Sequence, residues 1–231
     1  FKEVKDEKAI GDASPSYINY PSEFEKIKER LNNPKVIILL RDPIKRAYSN
    51  YLHLVRTHRE ELGFYDALME EKNRKTLSFS DFWHYTFNSL YFDKVEAARV
   101  NFDEVLIITQ EELAFKTEST IKKVFQFLGV DDNYRPSNLD KRYNPGGIYK
   151  NNLVTKIIFK ENGFKTAIKK RFPIPIGVKH VKQKIIKRYK VETPQIDIKA
   201  EGYLLNVFKE DVRKIMALEV DVSMWNPKYF L

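Results

Sequence analysis

The junction between a strand and a helix near residue 40 constrains this chain more than any other feature. Residues 36–40 (Val-Ile-Ile-Leu-Leu) form an apolar run that predicts a buried strand of a parallel sheet. Asp42 follows as a candidate N-cap, and the φ of Pro43 suits the first turn of a helix. Arg41 stays at the carboxyl end of the strand, where open α/β sheets bind their ligands. The junction therefore predicts an α/β fold with a ligand site beside Arg41.

The predicted helix, from Pro43 to about His58, carries several polar side chains. Ser49 lies about two turns into it, and an arginine with a hydroxyl suits a phosphate because guanidinium binds phosphate in a bidentate way. The helical spacing also places four polar residues on one stripe: Arg46, Ser49, His53 and Arg56. Such a stripe indicates either an anion site or an ordinary solvated face.

The remaining pattern alternates helices with a second apolar strand, which favours a parallel sheet covered by helices. A helix is expected over 22–31, with a capping box formed by Ser22 and Glu25. A buried strand is expected over 104–109. Further helices are expected over 64–72, 79–100, 111–128 (ending at Gly129) and 198–218.

Composition excludes several classes of protein. The 231 residues include no cysteine, so the chain has no disulfide, thiolate metal site or cysteine nucleophile. A hydrophobic content of 42% predicts a packed core rather than disorder. No apolar run approaches the ~20 residues of a membrane-spanning helix, and no signal peptide opens the sequence. We therefore expect a cytoplasmic protein with one α/β domain.

Positive charge is concentrated in one segment. The net charge is +9, and residues 156–190 contain twelve Lys or Arg against one acid, Glu161. The segment suits a polyanion, such as a sulfated or uronic polysaccharide, or a membrane surface. It has few aromatic residues for base stacking, so we expect no specific nucleic acid partner. The alternative is a pair of amphipathic helices with solvated lysines.

The run from Leu40 to Tyr51, L-R-D-P-x-x-R-x-x-S-x-Y, resembles the 3′-phosphate-binding motif of sulfotransferases that use 3′-phosphoadenosine 5′-phosphosulfate (PAPS). Bacterial and glycosaminoglycan sulfotransferases are the most similar branch. Other segments are also similar to this family, and they are Ile10–Tyr17, Ser89–Tyr91, Phe127–Val130, Lys141–Gly147 and Val220–Trp225.

This resemblance implies a three-layer α/β sulfotransferase fold, related to P-loop NTPases, with a parallel central sheet and a helical C-terminal part. The chain would be a single sulfotransferase domain (1–231), with a cofactor-binding core in 1–150 and a basic, mostly helical extension in 151–231. The family's Lys-x-Gly-Thr-Thr-like loop for the 5′-phosphosulfate has no counterpart among the eight glycines. We expect a preceding segment, or another chain, to supply that loop and its strand.

The resemblance also implies the reaction, which is transfer of a sulfuryl group from PAPS to a hydroxyl or amine. The implied acceptor is a carbohydrate rather than a small phenol, and the product is 3′-phosphoadenosine 5′-phosphate (PAP). No metal is required. Tyr91 would lie near the adenine, unless it only packs in the core. The basic loop would close over the 3′-phosphate, unless it is a solvated turn. The implied cofactor-binding residues are Arg41, Ser49, Tyr91, Lys141, Arg142, Gly146 and Gly147.

Two residues are implied in catalysis. Asp12 occupies the position of a catalytic glutamate in the similar sulfotransferases and is the candidate base, although an Asx turn at Ser14 is the alternative. His53 would be a second donor near the leaving group or the acceptor. The other histidines (58, 84 and 180) are assigned to the surface or to packing.

Two other functions are alternatives to sulfotransferase activity. One is a non-catalytic nucleotide- or polyanion-binding module that keeps only the 3′-phosphate half of the site. Asp12 and His53 argue against it, because a binding module does not need a base. The other is a P-loop kinase, which the lack of Walker A residues disfavours.

Overall fold

The computed structural model describes residues 5–139, 141, 147–150, 155 and 188–231. Its first two strands, β1 (Val36–Leu40) and β2 (Val105–Thr109), pair in parallel, with Val36 opposite Val105 and Leu40 opposite Thr109. A short antiparallel pair joins β3 (Ile148–Tyr149) to β4 (Lys190–Val191). The predicted α/β class with a parallel sheet is confirmed, and so are both predicted strands.

Helices make up most of the remaining described structure. The helix α2 follows β1 after two residues, and α6 follows β2 directly, as expected of strand-helix units in an α/β protein. The helices are α1 (Phe24–Arg30), α2 (Pro43–Arg56), α3 (Phe64–Met69), α4 (Glu71–Thr76), α5 (Phe92–Asn101), α6 (Gln110–Phe115), α7 (Thr117–Leu128) and α8 (Ile198–Ala217).

The prediction of one helix over 79–100 is wrong. Two 3-10 turns occupy Asp81–Trp83 and Phe87–Ser89, and α5 begins only at Phe92. The cause is a distant carboxylate, because Asp211 Oδ2 accepts from Tyr91 N at 2.9 Å and Oδ1 accepts from Phe92 N at 3.0 Å. The first backbone N–H groups of a helix have no acceptor in a preceding turn, and Asp211 accepts from two of them. Burial raises the pKa of Asp211 despite these hydrogen bonds.

Other boundaries also differ from the sequence pattern, and the helix predicted over 64–72 is divided at Glu70 into α3 and α4. The capping box predicted at Ser22 and Glu25 is wrong, because α1 begins at Phe24 after a 3-10 turn and its N-cap makes no side-chain hydrogen bond. A complete capping box instead joins Thr109 and Glu112 at the start of α6. The helix predicted over 111–128 is divided at Lys116, whereas its end at Gly129 (φ +72°) is confirmed.

The chain forms two compact units, each assembled from separate stretches of sequence. The first unit comprises the described residues within 1–44, 88–143 and 205–231, and its core includes Leu40, Val95 and Phe208. The second comprises those within 45–87 and 144–204, and its core includes Leu54 and Tyr85. The predicted organisation as one domain with a basic extension after residue 150 stays a prediction.

The strand β1 is buried on one side only. Ile38 and Leu40 are 7% and 1% exposed, but Ile37 and Leu39, which point to the opposite face, are 38% and 53% exposed. Strands of parallel sheets are ordinarily covered on both faces. Among the described residues, nothing covers the Leu39 side of β1.

Most of the basic segment, residues 156–187, lies outside the described residues, so its helices and its partners stay predictions. In the described part of the chain, no helix is long and apolar enough to cross a membrane. The same residues include no group of three or more His, Asp or Glu side chains placed to hold a metal ion.

Candidate active site

Arg41 lies between the last residue of β1 and the first turn of α2, as the sequence predicts, and its side chain is half-buried. The hydroxyl of Tyr91 donates to its backbone carbonyl at 3.0 Å. With the described residues, the Arg41 guanidinium forms no hydrogen bond and no ion pair. A partly desolvated guanidinium with free N–H groups is suited to binding an anion.

Asp42, the next residue, is fully buried. Its Oδ2 accepts from Asn226 N at 2.7 Å, and its Oδ1 accepts from the Tyr229 hydroxyl at 3.3 Å. The same Tyr229 oxygen accepts from Ile44 N, in the first turn of α2, at 3.2 Å. Asp42 therefore connects the start of α2 to a segment near residue 226, a role that its sequence position as a candidate N-cap does not reveal.

A second buried acid, Glu111, lies beside Asp42. Its Oε1 accepts from Asp42 N at 3.4 Å, and its Oε2 accepts from Trp225 Nε1 at 3.1 Å. Backbone donors at the start of a helix often bind phosphate. Here Glu111 and Tyr229 already accept from two of these donors, those of Asp42 and Ile44. An anion at this junction would therefore depend on side chains such as that of Arg41.

Tyr91 is buried, and its ring centroid lies 6.2 Å from that of Trp225. Together with its hydrogen bond to Arg41, this packing makes Tyr91 a support of the junction. Tyr91 is thus packed in the core of the first unit. Its place beside the adenine of the cofactor stays a prediction.

Asp12 is exposed in the first unit and accepts from the Tyr17 hydroxyl at 2.7 Å. This hydrogen bond and the Asp12 charge raise the pKa of Tyr17. In the loop that follows, it is the Ser14 hydroxyl that accepts from Ser16 N, at 3.3 Å. The Asp12 carboxylate itself is exposed, and an exposed carboxylate can reach a substrate as a base.

In the second unit, the predicted polar stripe lies on the uninterrupted helix α2. Ser49 and His53 are exposed there, and Arg46 Nη1 donates to Asn50 Oδ1 at 3.1 Å. Partial burial and the charges of Arg56 and Arg59 lower the pKa of His53. This lowering of the pKa favours the neutral imidazole.

The tautomer of His53 follows from its neighbour. Arg56 Nη2 lies 2.8 Å from His53 Nδ1. Since a guanidinium has only donors, Nδ1 must accept in this pair, and the proton of the neutral ring is on Nε2. In this tautomer the neutral His53 ring has an N–H donor at Nε2, and the catalytic role of this donor stays a prediction.

Sequence reasoning missed a cluster beside His53, which we call the Arg59 platform: Arg59, Phe79, Phe82 and Trp83. The guanidinium carbon of Arg59 lies 4.4 Å from the ring centroid of Trp83 and 5.6 Å from that of Phe82. Asn50 Nδ2 donates to Phe82 O at 2.8 Å, which attaches the platform to α2. The signal in the sequence is the cluster of three aromatic residues at 79, 82 and 83, within the segment for which the pattern predicts a helix.

The basic loop is only partly described. Lys141 is exposed, and its backbone N donates to Asn138 O at 3.0 Å. Arg142 and Gly146 lie outside the described residues. Gly147 has φ +106°, a conformation that residues with a side chain rarely adopt, so the backbone itself explains this glycine. The cofactor-binding roles of this loop stay predictions.

Comparison with known proteins identifies the family. Residues 15–144, more than half of the chain, match the sulfotransferase domain family, and the chain belongs to this family. The fold is similar to the crystal structure of a sulfotransferase from Alicyclobacillus acidocaldarius, with a TM-score of 0.70 and 24% identity. That similarity covers 97% of this chain and 70% of the other chain.

A curated relative is similar over a shorter stretch. The membrane-associated sulfotransferase kil1 of Dictyostelium discoideum is 41% identical over 51 residues. These residues are 22% of this chain and 11% of that protein. The match supports the predicted family. It spans about a tenth of the relative's length.

Proposed function

We propose that this protein transfers a sulfuryl group from PAPS to a hydroxyl or amine of a carbohydrate acceptor. Membership of the sulfotransferase family supports the reaction class. The observation that carries the proposal is Arg41, a half-buried guanidinium without a partner among the described residues, at the end of a parallel strand. In open α/β sheets, that edge is the usual place for a ligand.

The donor set at this junction suits the cofactor. Arg41, in the first unit, would bind the 3′-phosphate through two N–H groups. The resemblance to sulfotransferases assigns the same phosphate to Ser49, whose hydroxyl is exposed in the second unit. PAPS supplies the activated sulfuryl group, which leaves PAP behind. Since Glu111 and Tyr229 already accept from two backbone donors of the turn, the charge of Arg41 is the main contribution that this part of the chain offers to a phosphate.

Two exposed groups have the chemistry that the acceptor requires. The Asp12 carboxylate would take the proton from the attacking hydroxyl or amine as its bond to sulfur forms. The Nε2–H of neutral His53 would donate a hydrogen bond to oxygens that gain charge as the bond from sulfur to the phosphate oxygen breaks.

The Arg59 platform provides a surface for the acceptor. Phe79 and Phe82 are 42% and 47% exposed, and the Phe79 ring centroid lies 5.4 Å from that of Trp83. Aromatic rings bind the apolar faces of sugars, and the N–H edges of a stacked guanidinium bind their oxygens. The platform lies next to His53, since Asn50, which holds Phe82, is one helical turn before it.

A transfer assay tests the proposal directly. The full-length protein is incubated with PAPS labelled in its sulfuryl group and with a panel of oligosaccharides, amino sugars and simple phenols. We expect label in a carbohydrate product together with release of PAP. Label only in phenols would overturn the carbohydrate acceptor. Tight calorimetric binding of PAP without transfer to any acceptor would instead indicate the non-catalytic nucleotide-binding module.

A further inference from the structure

We propose that Trp225 is a positioning residue for the cofactor, which it does not touch: it holds the two groups that orient Arg41. The inference rests on the proposed function, because it assumes that Arg41 binds the 3′-phosphate of PAPS. It gives a supporting role in cofactor binding to a residue that lies 184 positions after Arg41 in the sequence (225 − 41).

The peptide group between Arg41 and Asp42 is held at both of its polar atoms. On one side, the Tyr91 hydroxyl donates to Arg41 O at 3.0 Å. On the other side, Asp42 N donates to Glu111 Oε1 at 3.4 Å. Because a peptide group is planar, these two hydrogen bonds together fix the plane of the peptide that follows the Arg41 Cα, which limits the orientations open to the Arg41 side chain.

Trp225 contacts both of the groups that hold this peptide. Its ring packs against Tyr91, with 6.2 Å between the centroids, and its Nε1 donates to Glu111 Oε2 at 3.1 Å. The indole is 3% exposed, so its position is determined by packing. Trp225 therefore supports both Tyr91, which donates to Arg41 O, and Glu111, which accepts from Asp42 N.

The segment that carries Trp225 is itself attached to the turn. The next residue, Asn226, donates its backbone N–H to Asp42 at 2.7 Å, and the Tyr229 hydroxyl lies 3.3 Å from Asp42 Oδ1. Movement of Trp225 is thus coupled to movement of the residue that follows Arg41. All of these contacts lie within the first unit.

The test separates the 3′-phosphate from the rest of the cofactor. The affinities of PAP and of adenosine 5′-phosphate are measured by calorimetry for the full-length wild type and for Trp225→Phe, which keeps a ring but loses the indole N–H. We expect PAP affinity to fall about fivefold, the factor for one lost hydrogen bond, while adenosine 5′-phosphate binds as before. In the transfer assay, KM for PAPS should rise and kcat should change little.

A matched control distinguishes positioning from loss of stability. Tyr85→Phe removes a buried hydroxyl in the second unit, where Tyr85 donates to Glu60 at 2.6 Å. It should lower the melting temperature but leave the PAP preference unchanged. If Trp225→Phe does not fold, Tyr91→Phe removes only the hydroxyl that reaches Arg41 O, and we expect the same loss of preference.

The possible outcomes are distinct. A wild type that binds PAP no better than adenosine 5′-phosphate contradicts the proposed function itself. A wild type that prefers PAP, with an unchanged preference in both Trp225→Phe and Tyr91→Phe, overturns the positioning role alone. A loss of preference in these two variants but not in Tyr85→Phe supports it.

Discussion

The guanidinium carbon of Arg59 lies 4.4 Å from the ring centroid of Trp83, and Arg59 itself lies three residues after the end of the helix that carries Ser49 and His53. Such a cation–π contact contributes about 0.5–1 kcal/mol at an exposed site and leaves the N–H edges of the guanidinium available. In the described structure, the Arg59 side chain has no hydrogen bond or ion pair. Its position is therefore set by the rings, while its donors remain available for a ligand.

The Arg59 platform should determine acceptor binding. Trp83→Ala removes the ring beneath the guanidinium, and we expect KM for the carbohydrate acceptor to rise about tenfold, because an aromatic contact surface and an oriented cation are lost together. The affinity for PAP should stay unchanged. Steady-state kinetics with the acceptor varied, together with calorimetry of PAP, measure the two effects separately.

A substitution in the other unit controls for the loss of an aromatic side chain in general. Phe115 is 78% exposed and belongs to the first unit. Phe115→Ala should leave the acceptor KM as in the wild type. Equal changes in Phe115→Ala and Trp83→Ala would rule out the platform as the acceptor surface.

The pKa of His53 should respond to the platform. Burial, then Arg56 and then Arg59 hold this pKa below its ordinary value. Arg59→Gln removes a positive charge, so the protonated imidazole becomes less unfavourable and the pKa should rise. NMR titration of the His53 ring protons measures it without any assay. Lys123→Gln, an exposed lysine of α7, is the control. No rise in Arg59→Gln would show that Arg59 does not act on His53.

Arg41 and Ser49 should recognise the 3′-phosphate. Arg41→Ala should weaken PAP binding about ten- to hundredfold, as expected for hydrogen bonds to a charged group, and Ser49→Ala about fivefold. Adenosine 5′-phosphate, which lacks the 3′-phosphate, should be affected much less. Calorimetry of both nucleotides is the measurement, and an equal loss for the two would argue against this role.

Asp12 should act in the chemical step. Asp12→Asn keeps the size of the side chain but removes its basicity, so kcat should fall by about a hundredfold or more while PAP affinity stays constant. Asp6→Asn changes an exposed carboxylate in the same N-terminal stretch and serves as the control. Turnover that is unchanged in Asp12→Asn would remove Asp12 as the base.

A buried ion pair in the second unit should make stability sensitive to acid. Arg74 Nη2 donates to Glu60 Oε1 at 2.9 Å, and the two side chains are 8% and 2% exposed. Burial favours neutral Glu60, but hydrogen bonds from Arg74, Tyr85 and Leu62 N outweigh it and lower the pKa. The stabilisation is therefore fully present above the unfolded-state value of 4.5 and is lost as pH falls through the lower folded value.

Glu60→Gln tests this contribution. It leaves Arg74 without its counterion, so we expect a loss of about 3 kcal/mol at pH 7. Below pH 4.5, the stability of the variant should depend less on pH than that of the wild type. Urea unfolding between pH 7 and pH 3 checks both points. Parallel pH profiles in the two proteins would contradict the assignment.

Local pattern was sufficient for the elements around Arg41. The apolar run of β1, the proline at the start of α2 and the glycine after α7 each specify a conformation within a few residues, and the structure agrees at all three places. The helix predicted over 79–100 was wrong because Asp211, more than a hundred residues later, fixes where α5 begins.

The sequence by itself determined the strand-helix junction, the place of Arg41 at its turn and the polar face of α2, because each depends on backbone preferences and helical periodicity. Only the tertiary structure decided what supports and surrounds them. The carboxylate of Asp42 meets the hydroxyl of Tyr229, 187 residues away, and the rings at 82 and 83 meet Arg59. The periodicity of the sequence does not predict such contacts, because packing brings the two residues together only after the helices and strands have formed.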